Sequence, residues 1–231
     1  SLLPCASDYM VAHGMQRDKF NYIPNGVAIS TLLNNTDQIP VEHQVIINNA
    51  KNTYPLLIGY AGGMGDSNAL EYLIEVATIK SNVAFILVGN GAVKQNLIDA
   101  TASRKLTNVF ILHEINKPQI PNFLSQMDIL YIGWHKLSIY RFGICPNKLF
   151  DYMLSKKPIL HSVTAGNDLV AQAHCGISVE AQNIDAISNA VDIFFELKLN
   201  NCDELNSLGK NGYEYVINNH DYKILAQKFL E

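Results

Sequence analysis

Between Leu56 and Val179 the chain alternates short apolar segments with longer amphipathic ones, and this alternation leaves few folds open. LLIGY at 56–60, VAFILV at 83–88 and the runs at 109–112, 129–132, 158–160 and 177–179 are too short for buried helices and read as strands. After the first of them Leu70, Leu73, Ile74 and Ala77 recur at i, i+3, i+4 and i+7, the stripe of an amphipathic helix. Further helices are expected up to about 105, at 118–126, from 146, near 168–173, and from 184 to the end with a break at 209–212. Strands alternating with helices predict parallel βαβ units that all cross over right-handed. The fold class is therefore α/β, a doubly wound parallel sheet covered on both faces.

Upstream of this pattern the chain is less regular. A short helix is expected at 6–13, a strand at FNYI (20–23), a turn at Pro24-Asn25-Gly26, a loop at 30–40 and a surface helix at 41–52. The 231 residues suffice for one larger domain with appendages. A net charge of −4 without a dense Lys/Arg block argues against a nucleic-acid partner, and no apolar run is long enough to span a bilayer. Cys5, Cys145, Cys175 and Cys202 are scattered without a CxxC pair, which suits a reducing, cytoplasmic compartment. The seven histidines never pair at ligand spacing, so no metal site is expected.

In a doubly wound sheet a ligand lies beyond the carboxyl ends of the strands. The Gly62-Gly63-Met64-Gly65 loop, His113-Glu114, the loop at 133–147 and that at 161–167 all fall on this edge. The glycines either cradle a phosphate with backbone amides or only make a tight turn. The run RFGICPNKLFDYM (141–153) is the most informative. Pro146 fits the first helical position, which leaves the amides around Gly143, Ile144 and Cys145 free to meet an anion at the positive end of the helix. Asn147, Lys148 and Asp151 share one face. They are either a solvated cluster or ligand contacts, and a lysine at a helix start favours a negative ligand. Cys145 at that terminus could have a depressed pKa and act as a nucleophile, but no partner is recognisably placed. Tyr131, Trp134 and Tyr140 read as packing aromatics. The dinucleotide fingerprint and the Walker loop both fail, since no acid ends the second strand and no Gly-Lys-Ser/Thr follows the glycines.

These residues carry a resemblance. The chain resembles the C-terminal, donor-binding half of a family 4 glycosyltransferase of the two-domain GT-B fold, in particular the bacterial surface-polysaccharide and lipopolysaccharide subgroup. IPNGV (23–27) is similar to the segment joining the two Rossmann-like domains, and YAGGMG with ALEYLIEVA to the first strand, phosphate loop and helix. LVGNG (87–91) resembles the next βα turn, and FGICPNKLFDYMLSKKPIL the segment that binds the sugar nucleotide. The resemblance implies a division into 1–25 as a remnant of the acceptor domain and linker, 26–212 as the Rossmann-like nucleotide-sugar domain, and 213–231 as C-terminal helices packing on an absent N-terminal domain.

The activity it implies is transfer of a sugar, with retention, from a nucleotide diphosphate donor to a polysaccharide or lipid-linked acceptor. A UDP-sugar is favoured, with no separate cofactor and, lacking a D-x-D motif, no obligatory metal. Of the family's two carboxylates, the one holding the ribose hydroxyls falls at Asp151, while the one facing the sugar falls at Gly143. The usual basic residues fall at Gly63 and Asn68. That leaves Lys148 to stabilise the departing diphosphate, with Gly62, Gly63, Gly65, Glu114, Gly143, Ile144, Cys145, Asn147 and Asp151 around the donor. The full enzyme would meet its acceptor through the missing domain and associate peripherally with the inner face of a membrane. This stretch alone would bind donor, transfer poorly and tend to self-associate. A sugar-nucleotide epimerase would need its own acid and base, and a non-catalytic nucleotide-binding or scaffold module is the competing expectation.

Overall fold

The computed structural model describes residues 1–30 and 37–230. In chain order the regular elements are α1 (Ser7–Ala12), α2 (Val41–Thr53), β1 (Leu56–Ala61), α3 (Leu70–Ile79), β2 (Val83–Val88), α4 (Lys94–Ser103), β3 (Val109–Leu112), α5 (Ile120–Ser125), β4 (Ile129–Gly133), α6 (Asn147–Leu154), β5 (Ile159–Ser162), α7 (Leu169–Gln172), β6 (Gly176–Val179), α8 (Ile184–Asn200), α9 (Cys202–Asn219) and α10 (Tyr222–Leu230). All six strands pair in parallel in the order β3-β2-β1-β4-β5-β6, the doubly wound sheet expected from the alternation.

Alternation along each strand sends side chains to two cores. Leu57 and Ala61 of β1 join α2, α5, α6 and α9 on one face, whereas Leu56, Ile58 and Tyr60 join α3 and α8 on the other. The central strands are buried at every position, which is why they read as continuous apolar runs.

Three local expectations are corrected. FNYI (20–23) forms no strand: a single helical turn ends at Lys19, and the segment takes no place in the six-stranded sheet. Part of the expected loop at 30–40 lies outside the described residues; 37–40 is irregular, and Ser30 is helical. No break occurs at 209–212. The helices change instead at Asn201 and His220, and α9 runs through both glycines.

Close packing explains them. A Cβ on Gly209 would lie 2.0 Å from the Lys156 carbonyl oxygen, just past the end of α6, and one on Gly212 would lie 3.0 Å from Cys175 Cβ. Gly209→Ala is therefore expected to destabilise the protein by ~1–3 kcal/mol despite alanine's better helix propensity. Urea denaturation checks this; a gain in stability would show that α9 does not press on the end of α6.

Candidate functional site

Strand order reverses between β1 and β4, so the loops leaving their carboxyl ends diverge and open a crevice beyond Ala61 and Gly133. The glycine loop leaves β1 there, residues 134–146 leave β4, and α6 begins at the same edge.

The β1–β4 ladder is short, pairing only Ile58 with Ile129 and Gly59 with Leu130. Beyond it Ala61 would present unpaired backbone groups to a buried region. Tyr152, on the second turn of α6 and almost wholly buried, supplies the partner: its hydroxyl accepts the Ala61 N–H at 2.8 Å and donates to the Ala61 carbonyl at 3.2 Å. This pins α6 to β1. Lys148, one turn earlier on the same face, is thereby carried over the glycine loop.

Its Nζ donates to Tyr60 Oη and to Asn68 Oδ1, both at 2.7 Å, and lies 4.5 Å from the Tyr60 ring centroid. Tyr60 Oη in turn donates to the Gly63 carbonyl at 2.5 Å, and Asn68 Nδ2 to the carbonyls of Gly63 and Gly65 at 3.0 and 3.3 Å. Every partner of the ammonium is neutral, and no carboxylate pairs with it among the described residues. Burial lowers its pKa to about 8. Without a counter-charge such a cation is costly to hold, and a bound anion would offset that cost.

The amides of the helix entrance are fewer than expected. Pro146 is the N-cap with extended backbone rather than the first helical residue, which is Asn147. The Gly143 amide donates to the Tyr140 carbonyl at 2.9 Å, and the Ile144 amide to Asn167 Oδ1 at 2.7 Å, so both are spent inside the loop. The amides of Cys145, Asn147 and Lys148 have no acceptor among the described residues and remain for an anion.

Gly143 has φ of 104°, and a Cβ there would lie 2.6 Å from Pro4 Cδ and 2.8 Å from Asn167 Oδ1. The space that a sugar-facing carboxylate would need is thus closed. Cys145 is held by Asn25, whose N–H donates to Sγ at 3.3 Å and whose Nδ2 donates to its carbonyl at 2.8 Å. Burial pushes its thiol pKa up, against a nucleophilic role, with the Asn25 N–H opposing only in part.

Beside the glycine loop, Gly62, Gly63, Asn90, Glu114, Ile115 and Ile120 line a cavity of about 260 Å³. A Cβ on Gly62 would come 3.1 Å from Lys148 Nζ, so the lysine packs against one of the glycines that line this cavity. Glu114 stands exposed at the rim; its own backbone amide, then Asn90 at 3.2 Å, keep its carboxyl below the usual range. Asp151 is half-buried, and burial raises its pKa to about 6, tempered by Lys117. Gly65 serves the loop through its carbonyl, and Asn147 is exposed at the helix start. The sequence reading missed Tyr60, Tyr152, Asn167 and Asn25, and treated Asn68 only as a lost cation. Only Tyr60 carried a usable signal, a polar hydroxyl near the end of an apolar strand, two positions before the first glycine of the loop.

Among the described residues no group of three or more His, Cys, Asp or Glu could hold a metal ion, and no helix is long and apolar enough to cross a membrane. No curated protein matches the chain in sequence. In structure it is similar to HepE (Alr3699) of Anabaena, solved with UDP and glucose, at a TM-score of 0.73 and 14% identity over 100% of this chain and 61% of that one. A glycosyltransferase of Rickettsia africae gives 0.74 and 16% over 97% and 60%. WaaG, a glycosyltransferase involved in lipopolysaccharide biosynthesis, gives 0.67 and 14% over 95% and 58%. The chain thus spans about three fifths of the length of these structures, and at such identities they establish a shared fold. The family description "Glycosyl transferases group 1" matches residues 43–215, well over half of the sequence and all of the sheet, so the chain belongs to that glycosyltransferase family.

Proposed function

We propose that this chain is the donor-binding domain of a retaining glycosyltransferase and holds a nucleotide diphosphate sugar, a UDP-sugar by preference, across the β1–β4 crevice. One observation carries the reading: the Lys148 ammonium, partly buried and without a carboxylate partner among the described residues, lies against the glycine loop on the helix whose first amides are free. A diphosphate satisfies all three. The nucleoside extends into the cavity between Gly62 and Glu114, and the Asp151 carboxylate accepts from the ribose hydroxyls. As the glycosidic bond to the β-phosphate breaks, negative charge grows on the leaving diphosphate. Lys148 and the amides of Cys145, Asn147 and Lys148 then stabilise the transition state more than the bound donor.

Groups that activate a polysaccharide or lipid-linked acceptor belong, on this reading, to the part of such enzymes that the chain does not span. That part would seat near Tyr222, Phe229 and Leu230 of α10, which are exposed. The division at residues 25 and 212 is part of the proposal. It is supported by the linker: Asn25 accepts from His220 through its carbonyl at 3.0 Å, and the Val27 amide donates to the His220 carbonyl at 2.8 Å.

Thermal melting with UDP, GDP, ADP and CMP tests the reading. A matching diphosphate at a hundredfold excess over its Kd should stabilise by ~3 kcal/mol. Asp151→Ala should weaken it by ~1.5–2 kcal/mol, roughly 10- to 30-fold, and so remove most of the shift. If no nucleotide moves the melting temperature, the chain is a scaffold rather than a donor site.

A further inference from the structure

Trp134 leaves β4 at the edge of the crevice, and its indole is held by a hydrogen-bonded chain, through buried His161 to partly buried Asp168, that the diphosphate site does not use. The indole N–H donates to His161 Nε2 at 3.1 Å, and the other ring nitrogen of His161, Nδ1, lies 2.9 Å from Asp168 Oδ1. His161 is completely buried within β5. Because the indole can only donate, it fixes the imidazole as the tautomer protonated on Nδ1, which then donates to Asp168. Asp168 is fixed in turn, since the same Oδ1 caps α7 by accepting from the amides of Val170 and Ala171 at 3.0 and 3.2 Å. Tyr140 packs edge-on against the indole, with ring centroids 5.4 Å apart.

Trp134 also lines a cavity of about 260 Å³, whose walls include Tyr140, Gly143, Ile144, Cys145 and Pro146. Cys145 and Pro146 thus belong both to this cavity and to the helix entrance that would take the diphosphate. On the donor-site reading the two spaces adjoin at these residues, which makes the cavity a space that a donor sugar can enter. At Gly143, where a carboxylate would otherwise meet that sugar, there is neither a side chain nor room for one. Trp134 is the larger of the two aromatic side chains that line this cavity, and the C–H faces of a pyranose suit an aromatic plane.

We propose that Trp134 is the binding platform for the donor sugar, and that His161 and Asp168 are positioning residues that hold the indole in place. This gives the tryptophan a part beyond packing, and it rests on the donor-site reading above. Trp134 is the sole tryptophan in the chain, so its emission reports on the site directly.

The test titrates the chain with UDP, UDP-glucose and UDP-N-acetylglucosamine, and with GDP, GDP-mannose, ADP and ADP-glucose, by calorimetry and fluorescence. For the nucleotide that binds, the sugar-bearing form should change tryptophan emission and the bare diphosphate should not. Trp134→Ala should weaken the sugar-bearing form roughly three- to tenfold and leave the diphosphate unchanged. Trp134→Phe, which keeps a ring, should retain most of the affinity and guards against a folding defect. His161→Phe, which frees the indole, should reproduce the alanine effect and shift the emission of the unliganded chain. Equal losses for both ligand forms, or an emission change with bare diphosphate, would overturn the platform and leave the donor site standing. If no diphosphate binds at all, both readings fall.

Discussion

Lys148→Met is expected to weaken nucleotide diphosphate binding by about 2–4 kcal/mol, roughly 30- to 1,000-fold, while raising the melting temperature of the unliganded chain. The two effects have opposite signs because they have one cause. Without ligand, the ammonium is desolvated against a phenol, an amide and glycine backbone, none of which carries a charge. Methionine keeps the stem's volume and removes the partly buried charge. With ligand, the same substitution leaves two phosphate charges facing only backbone amides. A purely structural lysine would behave otherwise, since its loss would lower stability and leave affinity alone.

The pH dependence follows with a definite sign. The folded pKa of about 8 lies below the ordinary 10.5, so between these values the unfolded chain binds more protons, and stability rises with pH. That rise should vanish in Lys148→Met. A bound diphosphate favours the charged lysine, so affinity should be full below about pH 8 and decline above it. Asp151 sets the acid limit. Its carboxylate, with a pKa raised to about 6, must be ionised to accept two ribose hydroxyls, so affinity should also decline below that value. A nucleotide sugar, which has no titrating terminal phosphate, should therefore bind best between about pH 6 and 8 in calorimetry. Affinity flat across this range would remove both residues from the site.

The sheet was legible because its strands are buried on both faces and leave uninterrupted apolar runs. Lys148 and Asp151 stood out as candidates because a helix start concentrates polar groups at known spacing. What the sequence hid depends on separations that no window spans. Tyr152 lies 91 positions from Ala61, whose backbone it satisfies, and Asn167 lies 23 from the Ile144 amide it removes from the anion site. Gly209 and Gly212 resemble helix breakers until the end of α6 is placed against them. Gly143 resembles a lost carboxylate until Pro4 and Asn167 are seen filling the space. In each case a tertiary neighbour decides between readings that the local residues leave equal.

Phe150→Ala carries the largest expected cost in stability, ~3–5 kcal/mol, because the ring is completely buried on the side of α6 opposite Lys148, two positions away along the helix. Its centroid lies 4.5 Å from the imidazole of His220, at the junction of α9 and α10. His220 Nδ1 bonds the Asn25 carbonyl at 3.0 Å, and Asn25 in turn holds Cys145 at the entrance to α6. One ring therefore supports the helix from below, and through His220 it also steadies the turn that presents the free amides. At ~2–4 °C per kcal/mol for a chain of this size, melting should fall by about 6–20 °C, with Phe150→Leu recovering most of the loss. The nucleotide-induced shift should shrink as well, since an α6 that can settle into the cavity no longer aims Lys148 over the glycine loop. If Phe150→Ala lowered melting but left the Kd for the diphosphate unchanged, the helix would be held in register by Tyr152 and β1 alone, and the linker would have no part in shaping the site.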